Sequence, residues 1–144
     1  MKLDKIKNFA KDMRRNIIFT AYKAGSKSAH IGGALSVTDI IAVLYSDIMN
    51  IKKTKYLDDD RDRFILSKGH ACLALYSALV VKKILKKKDL ITFECDGSKL
   101  LGHPIINKKD GIEFSTGSLG MGLSLGTGVA LAAKKKKKSF NTYV

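Results

Sequence analysis

An α/β layer fold is what this sequence predicts, and three observations lead there. Apolar residues recur at helical spacing in several stretches, and the short apolar run Arg63 to Ser67 is closed by Lys68-Gly69 in the manner of a buried strand. The elements then follow the order helix, strand, helix, long loop, helix, strand. A chain of 144 residues suits one domain, here residues 1–144, and can bury about two thirds of its unfolded surface. The 45% hydrophobic content, with six Phe, supplies a core, and no internal repeat or second domain is visible.

Leu3, Ile6, Ala10, Met13, Ile17 and Ala21 form the stripe of a first helix ending near Gly25. Residues 26 to 36, SKSAHIGGALS, read as a loop because the small residues and the adjacent Gly32 and Gly33 disfavour a regular element. Ser36 to Asp39 resembles a capping box opening a well-buried second helix through Ile48. Residues 51 to 63 are polar, and the run Asp58, Asp59, Asp60 reads as a solvated turn because it lacks the alternate spacing of a calcium loop. After the strand at 63–67 a helix runs to about Leu85, followed by a short one over Lys88 to Phe93. Residues 94 to 117 form a long loop with the only proline, Pro104, and a helix over 118–133 leads into a strand at 139–144.

The formal charge of +14 favours anionic partners, yet much of the excess lies in Lys82 to Lys88 and Lys134 to Lys138, where lysine suits a helix C-terminus. Arginine, the usual base-reading residue, stands only at 14, 15, 61 and 63, so nucleic acid is demoted as a partner. A basic module holding RNA or an acidic partner remains the alternative outside enzymology. Cys72 and Cys95 lack C-x-x-C spacing and read as reduced thiols of a cytoplasmic protein. No contiguous apolar run, the longest lying near Leu73 to Val81, reaches the ~18 residues of a membrane span, and a soluble, untargeted chain is expected.

Glycine falls at 111, 117, 120, 122, 126 and 128, in GIEFSTGSLGMGLSLGTGVALAA. Two readings stand: an anion cradle opening into a helix N-terminus, or a glycine-rich helix packed closely on a sheet. The spacing matches neither common nucleotide fingerprint. The three histidines, His30, His70 and His103, each lie beside glycine, where backbones leave room for a ligand. Their separations of 40 and 33 positions exclude a local zinc motif, and Ser67, Ser115 and Ser118 lack a G-x-S-x-G elbow. Imidazoles so placed suit hydroxyl, carbonyl and phosphate oxygens.

Arg61-Asp-Arg-Phe-Ile-Leu-Ser-Lys-Gly-His70-Ala, Gly102-His-Pro104, Gly111-Ile-Glu-Phe-Ser-Thr-Gly-Ser-Leu-Gly-Met-Gly122 and Ser28-Ala-His-Ile-Gly-Gly33 together resemble the amino-terminal half of transketolase. The resemblance spans residues 14 to 133 and is closest to the form split into two subunits. It implies an incomplete three-layer thiamine-diphosphate-binding fold with mostly parallel strands and flanking helices. It implies that His70 contacts the cofactor's diphosphate, that Gly117 and Leu119 present backbone groups to it, and that His30 and His103 face the sugar. The implied reaction passes a two-carbon ketol unit between sugar phosphates in the pentose phosphate pathway.

Met121 stands where the family commonly has Gln, Ala29 where Gly is usual and Ile31 where Pro is frequent. The family's Gly-Asp-Gly motif and downstream Asn, which hold Mg²⁺ or Ca²⁺ on the diphosphate, have no counterpart here, nor has the second domain with its activating glutamate. The resemblance therefore implies a fragment, inactive alone, that works with a carboxy-terminal subunit or domain as a dimer or heterotetramer. Another thiamine diphosphate enzyme, such as deoxyxylulose-phosphate synthase, is the alternative within that chemistry.

Overall fold

The apolar stripe at the amino terminus forms α1, Lys2–Ala24, in a computed structural model that describes residues 2–27, 29–51 and 59–144. Met13 and Ile17 are fully buried with Ala10 beside them, while the lysines of α1 face outward. Gly25 ends the helix in the left-handed region, φ +62°, which a residue with a Cβ adopts only at a cost.

Helix α2, Ile31–Val43, begins inside the stretch expected to be a loop, and that expectation is corrected. Its first turn contains Gly33, where a Cβ would come within 3.1 Å of His70 Cδ2, so close packing outweighs the poor helix propensity of the Gly-Gly pair. Ser36 is not a cap: its hydroxyl donates back to Gly33 O at 2.9 Å. The helix continues as a π turn, Leu44–Ile48, whose Tyr45 carbonyl accepts from Lys82 Nζ at 2.8 Å. Burial is one-sided, with Ile41 and Tyr45 inside and Ile40 and Ile48 facing out. Taken together, Ile31–Ile48 is long and apolar enough by length and composition to cross a membrane. Ser36, Thr38, Asp39 and Asp47 interrupt the apolar run and hide that length in the sequence. It packs against α1 and the next helix as a core element.

Strand β1, Arg63–Phe64, is shorter than the expected 63–67. A 3₁₀ turn, Gly69–Ala71, leads into α3, Cys72–Val81, in which every residue from Cys72 to Leu79 is buried. A helix apolar on all sides belongs at the centre of a domain, and each fully buried Leu contributes about 1.5–3 kcal/mol of transfer free energy. α3 stops before the expected Leu85, and Lys83 just beyond it takes φ +62°. A 3₁₀ turn at Lys87–Thr92 replaces the expected short helix at 88–93, and another, Lys108–Asp110, lies within the long loop.

Strand β2, Thr142–Tyr143, pairs parallel with β1 in the register Arg63 to Thr142 and Phe64 to Tyr143. Alternation along the strands then sorts their side chains onto two faces. Phe64 meets the Tyr45 ring at 5.6 Å on the α2 side, while Thr142 and Val144 meet Gly126 of α4, Met121–Lys135. The small parallel sheet is thus sandwiched between helices, as the incomplete three-layer α/β fold requires. α4 starts later than the expected residue 118, because its N-cap Gly120 takes φ +87°. The expected lysine-rich end is present, with Lys134 and Lys135 in the last turn. Residues 52–58 of the polar segment, Asp58 among them, lie outside the described residues. Asp60 pairs with Lys138 at 2.9 Å.

Candidate active site

Three separate connections deliver the three histidines to one place. His30 is the N-cap residue of α2, its carbonyl accepting from Ala34 N at 3.1 Å. His70 sits in the 3₁₀ turn between β1 and α3, and His103 in the loop between Gly102 and Pro104. The His30 ring centroid lies 5.3 Å from that of His70 and 6.1 Å from that of His103. His30 and His103 are exposed and His70 is half-buried. A triangle of imidazoles, open to solvent and far apart in sequence, can receive several oxygens of one ligand. Among the described residues no group of three His, Cys, Asp or Glu is placed to hold a metal ion.

The His103 loop is fixed from beneath by α3. Cys72 Sγ donates to Gly102 O at 3.1 Å and Tyr76 Oη to Leu101 O at 2.9 Å, while the Glu94 carboxylate accepts from Gly102 N. Burial pushes the Cys72 thiol up to about 12, assisted by the nearby Glu94 charge. Burial, with Cys72 beside it, likewise drives the Tyr76 hydroxyl far above its ordinary value. Both groups keep their protons and remain donors, so the loop is held by two neutral hydrogen bonds beside the one to the Glu94 carboxylate. Beyond His103, Pro104 O accepts from Thr116 N at 3.2 Å and Ser115 Oγ from Ile106 N at 2.9 Å. Those bonds lay the 102–107 strand of the loop against residues 112–117.

The glycines of the 111–133 stretch divide between the two readings open in the sequence. Gly122 lies so close to Ser67 that a Cβ would overlap it, and Gly126 packs likewise against Val144. Those two serve helix-to-sheet packing. Around Gly117 the arrangement differs. A Cβ on Gly69 would stand 2.5 Å from Thr116 O and 2.8 Å from Gly117 N, and one on Gly117 would stand 3.4 Å from His103 Cδ2. Backbone is therefore brought against backbone directly between His70 and His103. Among the described residues none accepts a hydrogen bond from the amides of Gly117, Ser118 or Leu119, which precede the N-terminus of α4. Unpaired amides beside an imidazole and a helix N-terminus are the elements of an anion site.

Sequence reading missed a buried ion network behind this cradle. Arg61 Nη1 pairs with Glu113 Oε1, and Arg63 Nε lies 3.9 Å from Glu113 Oε2; both Arg61 and Glu113 are about 6% exposed. Between the arginines, Asp62 accepts from Asn50 N at 2.8 Å and from Asn141 N at 2.7 Å, joining the end of the π turn to the start of β2. Removing one member of a buried pair costs about 3–5 kcal/mol, because the other charge is left uncompensated. Nothing in local periodicity distinguishes these charges from surface ones. Neither Ser67, packed on Gly122, nor Ser115, accepting from Ile106 N, is set against a histidine as a nucleophile.

The family model for the transketolase thiamine diphosphate binding domain matches residues 7–143. The chain is 41% identical over 144 residues to one of the subunits of apulose-4-phosphate transketolase from Phocaeicola vulgatus, covering 100% of this chain and 50% of that protein. Against transketolase of Streptococcus pyogenes the identity is 39% over 126 residues, covering 86% of this chain and 17% of the other. Transketolase of Pichia stipitis, solved in complex with sedoheptulose 7-phosphate, superposes with a TM-score of 0.77 at 32% identity, covering 94% of this chain and 20% of that one. The chain spans half or less of these proteins.

Proposed function

This chain belongs to the transketolase thiamine diphosphate binding domain family, and from that premise we propose that it forms the amino-terminal part of a two-subunit transketolase. Such an enzyme moves a two-carbon ketol unit between sugar phosphates. The observation that supports this reading is the convergence of His30, His70 and His103 on the unpaired amides of Gly117 to Leu119.

The residues present fit thiamine diphosphate. The absence of side chains at Gly69 and Gly117 lets two backbone segments close on each other, beside amides of Gly117 to Leu119 that have no backbone acceptor among the described residues and are available to a diphosphate. His70 holds that diphosphate together with the backbone of Gly117 and Leu119. When bound, the cofactor supplies the carbon nucleophile and electron sink that cleavage of a ketose C–C bond requires. His30 and His103, both exposed and on the solvent side of His70, face the sugar, where each imidazole donates to or accepts from a hydroxyl and moves its proton as the carbonyl oxygen gains or loses charge. Mg²⁺ or Ca²⁺ would offset the charge of the diphosphate, and its protein ligands would come from the remainder of the complete enzyme.

The Phocaeicola vulgatus relative is by its name one subunit of a transketolase, which supports a second, carboxy-terminal polypeptide as partner here, in a dimer or heterotetramer. The sugar phosphate bound in the Pichia stipitis structure supports the substrate class. The free thiols Cys72 and Cys95 suit a reducing cytoplasm. Because the 144 residues span half or less of these relatives, turnover is proposed to need the remainder of the enzyme.

The test is calorimetry with thiamine diphosphate and Mg²⁺ on the assembled enzyme and on this chain alone. Binding by the former with none by the latter is expected; micromolar binding by the 144-residue chain would overturn the claim that these residues alone do not hold the cofactor. In the assembled enzyme His30→Ala and His103→Ala should each lower ketol transfer by about 10²–10⁴-fold, the usual contribution of a placed acid or base. Unchanged turnover would remove their sugar role.

A further inference from the structure

The Arg61–Glu113 pair stands on the two chain segments that form the cradle, and nothing in the reaction itself uses it. Arg61 leads into β1, which Arg63 opens, and then to Ser67, Gly69 and His70. Glu113 lies four positions before Gly117 on the opposing segment. The two segments touch at Gly69 against Thr116 and Gly117, and again at Ser67 against Gly122. These contacts resist approach, because a shorter distance means overlap, but they do nothing against sliding or separation. The ion pair supplies that restraint.

Its geometry is suited to the task. One carboxylate oxygen of Glu113 meets Arg61 and the other faces Arg63, so the carboxylate is oriented at two points. The arginines are themselves held: Arg61 Nη1 donates to Asp62 O at 3.0 Å, Arg63 donates to Arg61 O and Asp59 O, and the Arg63 guanidinium stacks on Phe140 at 4.6 Å. Asp62, between them, is fastened to both neighbouring elements. A buried ion pair adds little stability over apolar groups of the same shape, so its value lies in fixing one geometry. We infer that Glu113, paired with Arg61 and Arg63, is a positioning residue that sets the separation between the His70 imidazole and the Gly117–Leu119 amides, and thereby the affinity for the cofactor's diphosphate. This rests on the function proposed above.

The experiment uses the complete enzyme, assembled with its carboxy-terminal partner. Calorimetry measures the Kd of thiamine diphosphate with Mg²⁺, alongside the melting temperature without cofactor. Glu113→Gln keeps the shape and removes the charge; its Kd should rise about 10–100-fold, as when a supporting partner of a ligand-holding residue is lost. Arg61→Lys, which keeps the charge but loses the fork, should fall between wild type and Glu113→Gln. Leu79→Ala, in the core of α3, is the control for stability, and should lower the melting temperature while leaving the Kd unchanged. The inference is overturned if Glu113→Gln binds the cofactor like wild type, or if Leu79→Ala weakens binding as much for an equal loss in melting temperature. Should Glu113→Gln fail to assemble, Arg61→Lys decides by the same comparison. Failure of the wild-type enzyme to bind thiamine diphosphate would instead sink the functional reading itself.

Discussion

Replacing Gly69 by Ala tests the cradle most directly. The new methyl would stand 2.5 Å from Thr116 O, 2.6 Å from Thr116 C and 2.8 Å from Gly117 N, against 3.4 Å for ordinary contact. The two backbone segments must therefore part by roughly 0.9 Å, the difference between 3.4 and 2.5 Å, and no flexible side chain can absorb it. Overpacking of this kind costs about 1–3 kcal/mol of stability. For the site the displacement matters more, since His70 is the next residue and a misplacement near 1 Å costs on the order of 10²-fold in a preorganised centre. Chemical denaturation would read the first effect, and the rate of ketol transfer by the assembled enzyme the second. Gly128→Ala is the contrasting substitution, because a Cβ there meets nothing within 4 Å inside α4. It should stabilise by about 0.5–1 kcal/mol through helix propensity alone. If Gly69→Ala proves as benign as Gly128→Ala in both assays, the close approach of residues 69 and 116–117 does not shape the site.

Two further outcomes follow from the support beneath His103. Tyr76→Phe removes the donor to Leu101 O and leaves a half-buried carbonyl without its partner, so unfolding free energy should fall by about 1 kcal/mol and amide exchange should speed up across residues 101–104. Unaltered exchange there would show that the loop is held otherwise. Cys72, raised from 9.0 to about 12, binds its proton more tightly folded than unfolded. Its contribution is therefore complete below pH 9 and is lost as pH rises from about 9 to about 12, at roughly 1.4 kcal/mol per pH unit. Denaturation midpoints taken across that range should fall less steeply in Cys72→Ala than in wild type; equal slopes would refute the coupling.

The three histidines that the fold brings together were legible because their chemistry and their glycine neighbours are both local properties of the sequence. His30, His70 and His103 are few and distinctive, and each lies in a glycine-bearing connection that the fold turns toward the same point. The order of elements also followed from pattern, while the parallel pairing of the two strands was implied only by the family resemblance. What escaped was tertiary. Gly32 and Gly33 argue against a helix until His70 is seen lying against Gly33, and Ser36-x-x-Asp39 imitates a cap that the structure places mid-helix. The length of Ile31–Ile48 was hidden by polar residues that a packed helix tolerates on one face. Arg61 and Glu113 carry charges that periodicity assigns to solvent, and only the meeting of two distant segments buries them.

The pairing of Arg63 with Thr142 has a consequence for how the molecule assembles. These partners are 79 positions apart, so closing that loop costs about 4 kcal/mol of chain entropy, whereas the contacts of α2 with α1 and with α3 link nearer neighbours. The helical layer can therefore condense while β2 is still being synthesised, and the sheet is zipped last. The amide of Ile65, bonded to Tyr143 O at 2.9 Å, should gain exchange protection during refolding after those of α3. Asp62 waits for Asn141 in the same way. On this order of events the histidine-bearing turns are nearly in place early, and their final alignment is a late step of folding that the arrival of Asn141 to Tyr143 brings about.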